Sequence, residues 1–261
     1  MKKNSFFVIL RVALAVIVWW IIYKGYSAFV EPLYADKIPE ALVLVIRSMV
    51  VPYTLGLGGF YLILKGMQTG PVDGTMTATT GLIVKAFLVQ TGLAMPVIMI
   101  VNIILSRLGL LKVGITADEI FGSNWWFYLI LLLVFNPIFE ELLFRKLALD
   151  KLLVLGEKSA IIISAIFFAL PHIYSQGVPL FFGTFIIALV WGYVRVKTGK
   201  MWPVIVLHSL FNVYGSYFSL ACTRAIPTTL LYMFLSMIVI PVTAIILLVF
   251  HFKSAKEPDK K

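Results

Sequence analysis

The chain has 261 residues, 61% of them hydrophobic and only 13% charged, and its mean hydropathy is +1.00. A soluble domain carries charge on about a quarter of its residues, so this composition excludes a water-soluble globule and places the chain in lipid. The net charge of +10 does not argue for nucleic acid: the basic residues flank apolar runs, as in the cytoplasmic loops of membrane proteins, and no polar segment carries a basic stripe with interleaved aromatics.

In chain order, Met1 to Asn4 and the apolar run after them look like the start of a signal peptide. The run continues through Trp19, Trp20, Ile21 and Ile22 with no clean small-residue cleavage site, which predicts a retained first span. Crossing the hydrocarbon takes about 20 apolar residues, and eight stretches qualify. Their cores are Phe6 to Tyr23, Ala41 to Leu64, Gly81 to Leu105, Trp125 to Leu149, Ser159 to His172, Pro179 to Val194, Pro203 to Ala221 and Leu230 to Phe250. The expected fold class is therefore all-α, a polytopic transmembrane bundle of about eight spans. Because the fifth and sixth are short and poorly separated, seven spans with a re-entrant segment is the alternative. The loop from Gly66 to Thr80, with Gly70-Pro71 and Asp73-Gly74, reads as turns, and the tail from Lys253 to Lys261 as polar and disordered.

With the N-terminus placed in the cytoplasm, alternating spans put fourteen Lys and Arg on the cytoplasmic side and five on the other. This asymmetry is the one expected with both termini inside. Arg11, Arg47 and Lys85 fall within spans near an end, where long side chains snorkel. Cys222, the only cysteine, excludes an intrachain disulfide and a Cys-rich metal site and reads as a small apolar side chain. His251, at the end of the last span, is assigned no role.

Ionisable groups that cannot snorkel are costly in mid-bilayer and mark function. Three places qualify: Glu140, Glu141 and Arg145 on the fourth span, His172 at the end of the fifth, and His208 with Asn212 on the seventh. Glu141 and Arg145, four apart, share a helix face in the favoured order for an ion pair. Glu140 points about 100° away, free to face a cavity while its neighbour is neutralised. Pro137 cannot donate to the carbonyl of Leu133, which loosens the helix just before the pair. At a rise of about 1.5 Å per residue, Glu140, His172, His208 and Asn212 fall at overlapping depths.

These residues resemble the motifs of the CPBP family of intramembrane endopeptidases, which includes the CAAX prenyl endopeptidases and bacterial proteins linked to bacteriocin self-immunity. The first motif reads Glu140-Glu141-Leu142-Leu143-Phe144-Arg145, the second Phe168-Ala169-Leu170-Pro171-His172, and the third His208-Ser209-Leu210-Phe211-Asn212. Gly192-Tyr193, Thr198-Gly199 and Trp202-Pro203 add to the likeness. Lys146 departs from it, standing where the family often has Gly, with local packing as the expected consequence. The resemblance divides the chain into family-variable spans at 1–123, a catalytic helical core at 124–221, and the last span with its tail at 222–261.

The resemblance implies an endopeptidase in which Glu140 and His172 position and deprotonate a water while His208 and Asn212 stabilise the oxyanion; it assigns no cofactor and leaves zinc open. The expected partners are a peptide or membrane-protein substrate and the lipid bilayer, not nucleic acid, and the expected location is a bacterial plasma membrane. The site residues leave two alternatives open. A zinc protease would use His172, His208 and Glu140 as ligands and Glu141 as base, although no H-E-x-x-H helix is present. A non-catalytic immunity factor or transporter-like protein would use the same polar cluster to hold a partner or ion, although no inverted repeat is visible.

Overall fold

The computed structural model describes residues 2–111 and 114–256. The expected disordered tail from 257 and Lys112, one of the five basic residues assigned to the far side, lie outside the described residues. Among them all regular structure is helical, and eight helices are long and apolar enough to cross a membrane. These are α1 Ser5–Leu33, α2 Glu40–Leu64, α3 Thr80–Arg107, α4 Trp125–Leu155, α5 Glu157–Tyr174, α6 Val178–Thr198, α7 Trp202–Cys222 and α8 Ile226–Lys253. The fifth and sixth are two separate helices of spanning length, parted at Gly177, whose φ of 90° is open to glycine at no steric cost.

Phe6, Leu10, Ile17 and Ile21 on α1 and Ile245, Val249 and Phe250 on α8 are exposed. A surface this apolar is what a bilayer covers. Lipid supplies no hydrophobic force between helices, so their contacts depend on close approach at small residues. Gly92 shows this between α3 and α8: a Cβ there would lie 2.7 Å from the Ile240 carbonyl oxygen and 2.6 Å from the Ala244 methyl. Gly192 does the same for α6 on α5, where a Cβ would meet Ile161 at 3.1 Å. The centre of the bundle is aromatic, with Phe60, Phe144, Phe168 and Trp191 all buried.

The two ends of the bundle differ. At the end rich in Lys and Arg, the segment expected to be turns is instead a strap laid across the helix ends and docked by its backbone. Gly70 N–H donates to the Asp150 carbonyl at 2.9 Å, Gly74 N–H to Val196 at 3.0 Å and Met76 N–H to Lys197 at 2.8 Å. Only glycine fits at position 70, since a Cβ would sit 2.4 Å from the Leu153 carbonyl carbon. Ion pairs surround the strap: Arg195 to Asp150 at 3.0 Å, Lys146 to Asp150 at 2.9 Å, and Lys197 to both Asp73 at 2.6 Å and Glu157 at 3.0 Å. The hydrogen bond from Lys197 holds the Asp73 carboxyl below the ordinary aspartate range. Arg11 does more than snorkel, because Nε and Nη2 donate to the carbonyls of Ile63 and Lys65 at 2.9 and 3.0 Å, closing the end of α2. Arg47 is paired with Glu31 at 3.1 Å at the opposite end.

Candidate active site

The site is built around an irregularity in α4. Its regular α stretch Asn136–Glu141 is flanked by widened turns at Leu131–Phe135 and Leu142–Ala148. Pro137 has no N–H, so the Leu133 carbonyl four residues back loses its intrahelical donor, and the Leu132 carbonyl is left open by the widened turn, where Asn136 N–H bonds Leu131 instead. Both are taken by α7. Ser209 Oγ donates to the Leu133 carbonyl at 2.8 Å, and Asn212 Nδ2 donates to the Leu132 carbonyl at 2.7 Å. The loosening read from Pro137 thus has a second outcome: the proline locks α7 against α4.

That lock brings the charged residues together. Glu141 and Arg145 are fully buried, with Arg145 Nε 3.1 Å from Glu141 Oε2. The guanidinium also lies over the ring of Phe168 at 4.3 Å and near that of Trp191 at 5.2 Å, where ring faces attract a desolvated cation. The other oxygen of Glu141 accepts from His208 Nδ1–H at 3.0 Å. The far edge of the imidazole, Nε2, stands 3.9 Å from Glu140 Oε2. Trp191 stacks on the His208 ring at 4.4 Å between centroids and 23° between planes, and its indole N–H donates to Gln90 Oε1. Gln90 Nε2 in turn donates to the Leu207 carbonyl at 3.1 Å.

On α5, His172 Nδ1–H donates to the Phe168 carbonyl one turn back at 2.9 Å, which makes Nε2 the acceptor nitrogen. Glu140 has Tyr53 of α2 for a neighbour, with the hydroxyl 3.5 Å from Oε1.

Two chambers meet here, of about 370 and 480 Å³. Asn136, Glu140, Phe168 and His172 line both. His208 and Asn212 line the second. Glu141 and Arg145 line neither and sit behind the wall. Of the six residues singled out in the sequence, four therefore face the cavity and two support it from behind. Asn136, Tyr53, Gln90 and Trp191 also belong to the site, and none of them is a charged group of the kind that marks function in mid-span. Asn136 and Gln90 are uncharged amides inside apolar runs, and a search for any mid-span polar group would have found them; nothing in the sequence marks Tyr53 or Trp191.

Among the described residues, no three His, Cys, Asp or Glu side chains converge in a metal-holding group. Glu141, the base in the zinc alternative, is buried between Arg145 and His208 and lines neither chamber. Lys146 reaches from the surface to Asp150, away from both chambers. Cys222 is a free, partly buried thiol. His251 meets the Tyr193 hydroxyl at 3.2 Å, near the basic end of the bundle.

No curated protein and no solved structure matches the chain. The eight apolar helices make it an integral multi-pass membrane protein, and the family model described as Rce1-like, type II CAAX prenyl endopeptidase, matches its residues 122–214, the stretch that carries all three motifs.

Proposed function

We propose that the chain is an intramembrane endopeptidase that hydrolyses a peptide bond of a membrane-associated peptide or protein, with Glu140 as the base that activates water. The observation that carries this reading is the junction of the two chambers, where a carboxylate and an imidazole stand on the common wall. An extended peptide laid across the junction would place one flank in each chamber and its scissile carbonyl beside Glu140 and His172.

In this reaction a water held by His172 Nε2 gives a proton to Glu140, and its oxygen attacks the carbonyl carbon. The carbonyl π bond becomes an alkoxide. That oxyanion accepts from the second Nδ2 hydrogen of Asn212 and from Nε2–H of His208, preorganised donors of the kind that lower such barriers most. Donating from Nε2 while Nδ1–H bonds Glu141 requires hydrogen on both nitrogens of His208, with Glu141 and Glu140 as the carboxylates on either side of the ring. Collapse breaks the C–N bond, and Glu140 returns the proton to the leaving amine. Glu141, Arg145, Trp191 and Gln90 are positioning residues: they fix the ring of His208 without touching the reacting atoms.

The test compares the termini of membrane peptides and proteins in cells lacking the chain, cells expressing it, and cells expressing Glu140→Gln at equal membrane abundance. New termini should appear only with the unaltered protein. A set of termini identical in all three would refute the peptidase reading.

A further inference from the structure

Among the described residues, the linings of both chambers reach one end of the bundle and not the other. The residues lining the first chamber come from the middles of α1, α2, α4 and α5, no nearer the Lys- and Arg-rich end than Phe144, and from the parts of those helices and the adjoining loop remote from that end. The second chamber runs from Trp191 and His208 out to Asn102, Thr223 and Thr229, again at the remote end. The basic end is closed by the strap over Asp150, Val196 and Lys197 and by the ion pairs of Arg195, Lys197 and Lys146. Beneath it lies a packed layer of Leu64, Leu143, Ala148, Leu149 and Leu152.

The charge asymmetry can now be recounted with the fold known. Arg145 is buried beside Glu141 and is no loop charge, so the comparison becomes thirteen basic residues against five. That still assigns the closed, basic end to the cytoplasm.

We infer that the site is served from the extracytoplasmic face of the membrane, and that its substrate is a peptide segment presented there, a translocated peptide or the outer part of a membrane protein, rather than a chain end arriving from the cytosol. The inference rests on the proposed peptidase reading for the word substrate, but the direction of access stands on its own geometry. The chamber walls suit such a segment. The first is aromatic, with Trp19, Tyr53, Phe127 and Tyr128, and has Lys24 and Arg47 among its lining residues; the second is aliphatic, with Ile98, Met99 and Leu180.

The test needs no substrate. With Cys222→Ser removing the only thiol, single cysteines are placed at Ser48, Asn102 and Thr223, which line the chambers, and at Lys65 and Lys200, exposed at the basic end. The full-length chain is expressed in right-side-out and inside-out membrane vesicles and treated with a membrane-impermeant maleimide, followed by mass-tagging of unreacted thiols. Ser48→Cys, Asn102→Cys and Thr223→Cys should be blocked in right-side-out vesicles, and Lys65→Cys and Lys200→Cys only in inside-out ones. The reverse pattern would overturn the inference. So would protection of all three chamber positions from both faces, because the chambers would then not open to water. Repeating the set on a Glu140→Gln background separates the two claims: access should be unchanged whether or not the protein cleaves anything.

Discussion

Two adjacent carboxylates in one helix have been given opposite environments. Glu140 stands on the wall of both chambers, whereas Glu141 is sealed between Arg145 and His208. Their conservative substitutions should therefore differ in kind. Glu140→Gln should lower turnover by about 10²- to 10⁴-fold, the usual weight of a general base, with little change in the thermal unfolding of the detergent-solubilised protein. Glu141→Gln leaves the Arg145 cation without its counter-charge in a buried site, and removing one partner of such a pair costs about 3 to 5 kcal/mol; a lowered unfolding temperature should precede any kinetic effect. Arg145→Ala should likewise reduce folded protein. Normal stability with no activity in that variant would instead place Arg145 in contact with substrate.

At the level of elements, the joint between α4 and α7 follows from one proline. Ser209 supplies the hydrogen bond that Pro137 withholds from the Leu133 carbonyl, and Asn212 the one that the widened turn beside it withholds from Leu132. Ser209→Ala should destabilise by roughly 0.6 kcal/mol, the mean for hydrogen bonds between membrane helices. In a Pro137→Ala background the regained N–H can serve the Leu133 carbonyl, so the cost of Ser209→Ala should shrink. A double-mutant cycle read by unfolding in detergent measures that coupling, and equal costs in both backgrounds would separate the two residues. The same joint accounts for part of what the motif spacing conveyed. His208, Ser209 and Asn212 are placed by one helix turn, and α4 is the element they close upon.

For the whole molecule, the described residues cap the basic end with the strap, and the chamber linings reach the opposite end. The expected orientation, with both termini cytoplasmic, requires a reporter active only in the cytoplasm to give signal when fused to the C-terminus; silence from a stable fusion would invert it. The cap has an acid limit. The Asp73 carboxyl is held below its ordinary range by Lys197, so its contribution to docking the strap is complete above the unfolded aspartate value, about 3.9. That contribution is lost as pH falls through the lower folded value. Protection of the amides of residues 66–79, taken relative to the intrinsic exchange rate at each pH, should be constant above pH 5 and fall only on strong acidification, and Asp73→Asn should lower it at neutral pH.

The sequence by itself determined the membrane class, the set of about eight apolar helices and the polar residues within them to which the proposed chemistry is assigned, because apolar runs long enough to span a bilayer and charges too costly to leave in one are both local properties. It also paired Glu141 with Arg145, since i and i+4 positions meet on any helix. It placed four polar groups at matching depths from helix rise alone. Only the tertiary structure decided which of those groups face a cavity. The partners that settle this lie far along the chain: Tyr53 beside Glu140, Trp191 and Gln90 behind His208, and α7 on the carbonyls of α4. Only the fold showed the Gly66 to Thr80 segment as a strap, because backbone hydrogen bonds from Gly70, Gly74 and Met76 run to Asp150, Val196 and Lys197. Hydropathy and charge are summed along the chain and can be read there, whereas an opening at one end of a bundle depends on how eight helices lean together, and that is fixed by contacts between residues the sequence keeps apart.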